Sequence, residues 1–329
     1  MIVTQTPLRI GLLGGGTDLP SYYRENGGRV LNCALDKYVY VIVKQRFDDD
    51  IYVNYSKKEI VSRVEDLEHE LVREAMRMTG VTTGVEITTL ADIPSTGSGL
   101  GSSSAVTVGL LHALFAYQGR QVSAEELAER ACMIEIERCE KPIGKQDQYI
   151  AALGGIRDIR FGPGDAVMAE ELGLSSAERR ALQHNILLFY TGITRRADSI
   201  LAEQNSNIKA TRSQLDLLRD LAGYAAERLR RGDVDAIGVA LRDSWEAKRK
   251  LASGVSNPRI DRMVTRALDA GASGVKLTGA GGGGFLLVLC PMEQQRAVRH
   301  SLADLQEMPV KLDRLGSRVV LNVMRDIWG

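Results

Sequence analysis

The sequence predicts a two-domain α+β protein, and three observations carry that expectation. The chain has 329 residues, enough for two domains of ordinary size, each with its own core. Its first ninety residues read as strands with one or two helices, whereas the stretch after Tyr190 is mostly helical. The pattern weakens around residues 160–185, where Phe161-Gly-Pro-Gly164 is a turn cluster, so domains are expected over residues 1–165 and 166–329.

Taken in order, Val39, Val41 and Val43 share one face of a strand within residues 38–44. Val64, Leu67, Leu71, Ala75 and Met78 follow helical spacing, with Gly80 placed to close the helix. Ser123-Ala-Glu-Glu126 is a capping box that opens a helix running towards Cys139, and Pro142 ends it or opens a turn. Ile208, Leu215, Leu218, Ala222, Ala225 and Leu229 form a core-facing stripe. Asn257-Pro258 supplies a cap and first residue for a helix ending at Gly271. Residues 275–289 read as strand, glycine turn and buried strand; a helix near 292–306 and a strand near 319–323 follow.

Composition narrows the function. Lys+Arg and Asp+Glu both number 42, so no basic excess points to nucleic acid or an anionic membrane surface. No apolar run approaches membrane-spanning length, and the N-terminus lacks a signal-peptide pattern, so a cytoplasmic protein is expected. Cys132 and Cys139 would lie about 10 Å apart along one helix, too far for a disulfide. Buried free thiols are expected at all four cysteines.

Three glycine-rich segments then stand out: Gly11-Leu-Leu-Gly-Gly-Gly-Thr-Asp18, residues 95–104, and Gly279 to Gly284. Each lies beside a strand-like run, which suggests backbone approaching a ligand closely. In the second, glycines lead into an apolar helical pattern that starts near Ser102. Such a helix start offers unpaired N–H groups and a positive dipole end, while glycines let the preceding amides fold around an anion. That is a phosphate cradle; the plainer reading is a tight strand-to-helix turn. No Walker A motif occurs in the chain. Gly279, Gly281 and Gly284 match the dinucleotide fingerprint formally, but a strand-forming run follows where that fold requires a helix.

Pro94-x-x-x-x-Gly-Leu-Gly-Ser-Ser-Ser-Ala105 resembles the central ATP-binding motif of the GHMP kinases. Pro7-Leu-Arg-Ile-Gly-Leu-Leu-Gly-Gly-Gly-Thr-Asp18 resembles their N-terminal motif, and residues 276–284 their C-terminal one. Within the superfamily, residues 14–23, Gly27-Gly28, Asp36-Lys-Tyr38 and Ile143-Gly-Lys-Gln-Asp-Gln-Tyr149 are most similar to kinases of D-glycero-D-manno-heptose 7-phosphate. Fucose kinases share part of that pattern. The resemblance implies the two-domain GHMP kinase fold, a ribosomal protein S5 domain 2-like N-terminal domain followed by a ferredoxin-like C-terminal domain. It also implies an ATP- and Mg²⁺-dependent sugar 1-kinase acting on a small sugar phosphate. Neither nucleic acid nor membrane is an expected partner, and a homodimer is compatible with the pattern.

The same resemblance assigns residues. Asp147 becomes the base for the accepting hydroxyl, with Arg9 as the cation beside the reacting centre; a turn aspartate and a surface arginine are the plain alternatives. Gly97, Gly99, Leu100, Gly101, Ser102, Ser103 and Ser104 would hold the ATP phosphates. Ser103 and Glu137 would ligate magnesium, with Glu135 as a rival two residues away. Gly15, Gly16, Thr17, Asp18, Gly279, Gly281 and Gly282 would contact the sugar. Galactokinases carry Glu-His where this chain has Gly15-Gly16, which disfavours galactose. A 7-phosphate would need cations, for which Lys37, Arg195 and Arg196 are the candidates, although surface solvation also fits each.

Overall fold

The architecture comes from a computed structural model, in which residues 1–94, 97–194 and 197–323 are described. In chain order the strands and helices are β1 (Ile2–Leu13), α1 (Pro20–Asn26), β2 (Gly28–Gln45), β3 (Ile51–Asn54), β4 (Lys58–Val61), α2 (Glu70–Thr79), β5 (Val85–Ala91) and α3 (Ser102–Tyr117). Then come α4 (Ala124–Cys132), α5 (Gln146–Leu153), β6 (Ile156–Phe161), β7 (Val167–Glu171), α6 (Ser176–His184), β8 (Ile186–Tyr190) and α7 (Ala197–Ser206). The chain closes with α8 (Arg212–Arg230), α9 (Asp235–Lys248), α10 (Pro258–Asp269), β9 (Gly274–Leu277), β10 (Phe285–Leu289), α11 (Gln295–Ser301), β11 (Gln306–Glu307) and β12 (Arg318–Asn322).

The first sheet runs β12-β1-β2-β5-β3-β4, with β6 and β7 branching from it. The long strand β2 causes the branch: Val39 to Gln45 pair with β5, and Gly28 to Cys33 pair with β6, while β1 lies along its other edge. Val39, Val41 and Val43 are buried, as their alternation predicts. Helix α3 packs on β1 and β2 and is apolar around most of its circumference, so it sits inside the core instead of on its surface.

The second sheet is antiparallel in the order β11-β8-β10-β9. Its connectivity is strand, helices, two strands, helix, strand, which is the ferredoxin-like arrangement. Every residue of β10 is buried, and each large apolar side chain so placed contributes about 1.5–3 kcal/mol. Asn257 caps α10 through its side chain, with Pro258 in the first turn. Ser123 accepts from the Glu126 N–H as a cap for α4. That helix gives way at Met133 to a π-helical turn reaching Arg138, before Pro142 is met.

The sheets correct the expected division at residues 165 and 166. Strand β7 lies beyond that cut yet pairs with β6, and β12 returns near the chain's end to pair with β1. The first unit therefore takes in residues up to Glu171 and regains the last strand. All four cysteines are unpaired thiols, with Cys33, Cys132 and Cys290 buried.

Candidate active site

The three glycine segments converge on one cleft between the two sheets. A cavity of about 200 Å³ is lined there by Arg9, Asp18, residues 97–99, residues 101–104, Asp147, Lys248 and Gly279, among others. No side chain caps α3, so its first N–H groups are left for a ligand. Ser102 Oγ is buried beside them and has no hydrogen-bond partner among the described residues.

The third run explains how the loop before α3 is held. Gly99 and Gly279 both have left-handed backbones, with φ of 73° and 65°. They meet so closely that a Cβ on Gly279 would lie 2.7 Å from the Gly99 Cα. The Phe285 N–H donates to the Ser98 carbonyl at 3.3 Å. Backbone from the second unit thus fixes the backbone of the first, and side chains at these points would prevent it.

Arg9, on β1, reaches the same place. Its guanidinium donates to both carboxylate oxygens of Asp147, Nε to Oδ1 at 2.6 Å and Nη2 to Oδ2 at 2.5 Å. Its remaining Nη1 donates to the Gly99 carbonyl at 2.7 Å, and its backbone N–H to the Leu100 carbonyl at 3.0 Å. Leu100 itself is buried, so its part is that carbonyl. The bidentate pair fixes the carboxylate plane and joins it to the glycine loop. Asp147 lies in the first turn of α5 and keeps a 22% exposed side chain towards the cavity.

Glu135 lies on the π-helical turn and is fully buried. It accepts from Ser103 Oγ and Ser104 Oγ, both at 2.7 Å, and from Gln148 Nε2 at 2.6 Å. Burial raises its pKa, and those hydroxyl bonds oppose the rise. Glu137, the expected metal carboxylate, is exposed and has no place in this network; its rival Glu135 occupies it instead. Two residues along a helix turn a side chain to the opposite face. The donor set fits magnesium: hard hydroxyl and carboxylate oxygens beside the uncapped helix start, with the unpartnered Ser102 Oγ adjacent.

Asp18 is buried, and its Oδ1 accepts from the Gly16 N–H and from Gln146 Nε2, while Oδ2 accepts from the Gln146 N–H. Burial raises its pKa, and the charge of Asp147 adds to the rise. Gly144 passes so near that a Cβ there would lie 1.9 Å from Asp18 Oδ2.

Other expected contacts fall elsewhere. Thr17 is fully buried, and its hydroxyl donates to the Gly14 and Arg29 carbonyls, which makes it a turn former. Gly281 and Gly282 pack on Val255, whose carbonyl accepts from the Gly282 N–H, whereas Gly279 and Ala280 line the cavity. Gly16 lines the cavity, and Gly15 faces Lys248 and Gln146. Lys37 lines a different cavity, with Pro94, Tyr190 and Phe285, so it is no phosphate cation for this one. Arg195 and Arg196 lie outside the described residues.

Sequence reading missed Gln146, Gln148, Lys248 and Lys276. The two glutamines flank Asp147 in sequence, so their signal was that adjacency. Lys276, on β9, is buried and donates to the Gly11 and Leu12 carbonyls at 3.0 Å each, which ties the second sheet to β1.

Comparisons with known proteins place the chain in a family. The GHMP kinases N terminal domain model matches residues 54–155, and the GHMP kinases C terminal model matches residues 225–305. A D-glycero-alpha-D-manno-heptose 7-phosphate kinase from Campylobacter jejuni is 31% identical over 87% of this chain and 88% of its own. A bifunctional L-fucokinase/L-fucose-1-P guanylyltransferase from Bacteroides fragilis is 30% identical over 90% of this chain and 35% of its own. A structure described as a D-glycero-D-manno-heptose 1-phosphate kinase from Bacteroides thetaiotaomicron superposes with a TM-score of 0.82 at 24% identity, covering 98% of this chain and 100% of that one. No described helix is long and apolar enough to cross a membrane. With a glycine loop and an uncapped helix start beside a held carboxylate, and with relatives of this kind along most of its length, the chain belongs to the GHMP kinases and is a sugar kinase of that family.

Proposed function

We propose that the protein transfers the γ-phosphoryl group of ATP to the anomeric hydroxyl of D-glycero-D-manno-heptose 7-phosphate, giving the 1,7-bisphosphate and ADP. The observation that carries this is the Arg9–Asp147 pair, held against the glycine loop at the uncapped start of α3. A base and a phosphate cradle share one cavity, and Asp18 lines it too. The similarity to the heptose 7-phosphate kinase supports the choice of sugar.

In the proposed reaction the ATP phosphates lie on the N–H groups that open α3 and on the loop of Gly97, Gly99 and Gly101. Asp147 takes the proton of the acceptor hydroxyl as the new P–O bond forms and the bond to the β-phosphate oxygen breaks. Arg9 orients Asp147 and places positive charge near the transferring group. Ser103 and Glu135 would hold Mg²⁺, which neutralises phosphate charge when bound. Asp18 accepts hydrogen bonds from sugar hydroxyls, and its own orientation is set by Gln146 and the Gly16 N–H.

A coupled ADP assay over free and phosphorylated sugars, with ³¹P NMR of the product, tests the proposal. One ADP per sugar and a new anomeric phosphate resonance beside an unchanged 7-phosphate are expected. Nucleotide and sugar binding without ADP release would make the protein a sensor. A second reading, an L-fucose 1-kinase, draws on the similarity to the fucokinase; faster turnover of L-fucose than of the heptose phosphate would select it.

A further inference from the structure

Lys248 closes α9 and sends its side chain out of the helical layer into the cleft, where it lines the cavity. Its Nζ donates to the Gly279 carbonyl at 2.6 Å, which among the described residues is its one hydrogen bond. A Cβ on Gly15 would lie 3.4 Å from that Nζ. A longer side chain at position 15 would displace the ammonium, so the glycine leaves room for it. The first and third glycine segments thus meet at a lysine carried by neither.

An ammonium has three donors, and two of these remain unused. A buried charge without a partner is costly. Asp18 lines the same cavity and is close enough for the two charges to influence each other, yet no ion pair joins them. The pair is a carboxylate and an ammonium held apart on the lining of one cavity, the carboxylate with three hydrogen bonds accepted and the ammonium with one donated. A polyol satisfies both, because each hydroxyl can donate to a carboxylate and accept from an ammonium. A phosphate of the acceptor is disfavoured at this point, because the Asp18 carboxylate beside it would repel it.

We infer that Lys248 is a specificity-determining acceptor ligand: it donates to a hydroxyl oxygen of the sugar while Asp18 accepts from a neighbouring hydroxyl. The hydroxyl-bearing ring, not a phosphate of the acceptor, occupies this part of the cleft. The inference rests on the sugar-kinase reading. Burial lowers the lysine pKa to about 8, against the favourable field of Asp18; the other charged groups facing it are Arg9, Asp147 and Lys276. Its charge, and the hydrogen bond that the charge strengthens, therefore weaken as pH rises through that value.

Steady-state kinetics of the wild type, Lys248→Met and Lys248→Arg decide it, with heptose 7-phosphate and L-fucose as acceptors. Lys248→Met should raise the acceptor KM roughly tenfold to a hundredfold, as for loss of a hydrogen bond to a charged group, and leave the ATP KM within about twofold. In the wild type the acceptor KM should rise between pH 7 and 9.5 while the ATP KM stays flat, and Lys248→Arg should lack that rise. The wild-type series decides the matter even where the methionine variant does not fold. An unchanged acceptor KM in Lys248→Met, a parallel loss of ATP affinity, or a flat wild-type pH series would overturn the inference alone. A wild type that releases no ADP with either sugar would overturn the sugar-kinase reading and the inference with it.

Discussion

At the residue scale, the carboxylate bonded to Ser103 and Ser104 separates what could be read from what could not. Serines before a helix start signal their chemistry locally, because N–H groups and hydroxyls there need a partner. Glu135 and Glu137 carry no such signal; only the π-helical turn and the burial of its inner face distinguish them. Glu135→Gln should raise the magnesium concentration needed for half-maximal turnover by about tenfold or more, as expected when a charged ligand to a cation is lost. Glu137→Ala should leave it unchanged, and magnesium titrations of the two variants check the pair of outcomes. Lys248 was illegible for another reason. Lysines are usually solvated, and nothing in the local pattern of α9 shows that its last side chain enters a cleft built by distant segments.

At the scale of elements, the glycine segments were legible as places where backbone approaches something closely, but in the third Gly279 lines the cavity, whereas Gly281 and Gly282 meet protein backbone instead. Gly281 and Gly282 serve the fit of the loop against Val255, and Gly279 serves the fit against Gly99. Backbone-to-backbone packing leaves no trace in residue types beyond the absence of side chains, so ligand and loop look alike in sequence. Gly99→Ala would place a Cβ 2.7 Å from the Thr278 carbonyl oxygen at a left-handed φ of 73°. It should cost at least ~1–2 kcal/mol of stability and, on the proposed function, most of the turnover, since the loop before α3 must move. Gly80→Ala is the contrast: its φ is 76°, but nothing lies within 4 Å of the added carbon. It should cost about 1 kcal/mol and leave kcat unchanged. Urea titrations and initial rates separate the two cases.

At the scale of the whole molecule, the two layers of secondary structure were visible as a change from alternating to helical periodicity. The return of β12 to the first sheet was not, because strand partners far apart in the chain share no local pattern. The units are also joined by Lys276, whose ammonium is buried against the Gly11 and Leu12 carbonyls. Burial lowers its pKa well below the ordinary lysine value, and the charges of Lys248 and Arg9 add to the effect. Between the folded and unfolded values the unfolded chain binds more protons, so this group makes stability rise with pH across that window. Lys276→Met should flatten that slope in denaturation midpoints measured between pH 7 and 10. It should also cost ~1–3 kcal/mol by leaving buried carbonyls unpaired.

The central claim is that Asp147, held by Arg9 against the glycine loop, accepts the proton of the sugar hydroxyl at the moment of transfer. The direct measurement is single-turnover kinetics of Asp147→Asn, together with its ATP dissociation constant. The account predicts a transfer rate lower by about 10²–10⁴-fold, with ATP affinity within about threefold of the wild type. A variant that transfers phosphate at close to the wild-type rate would contradict it.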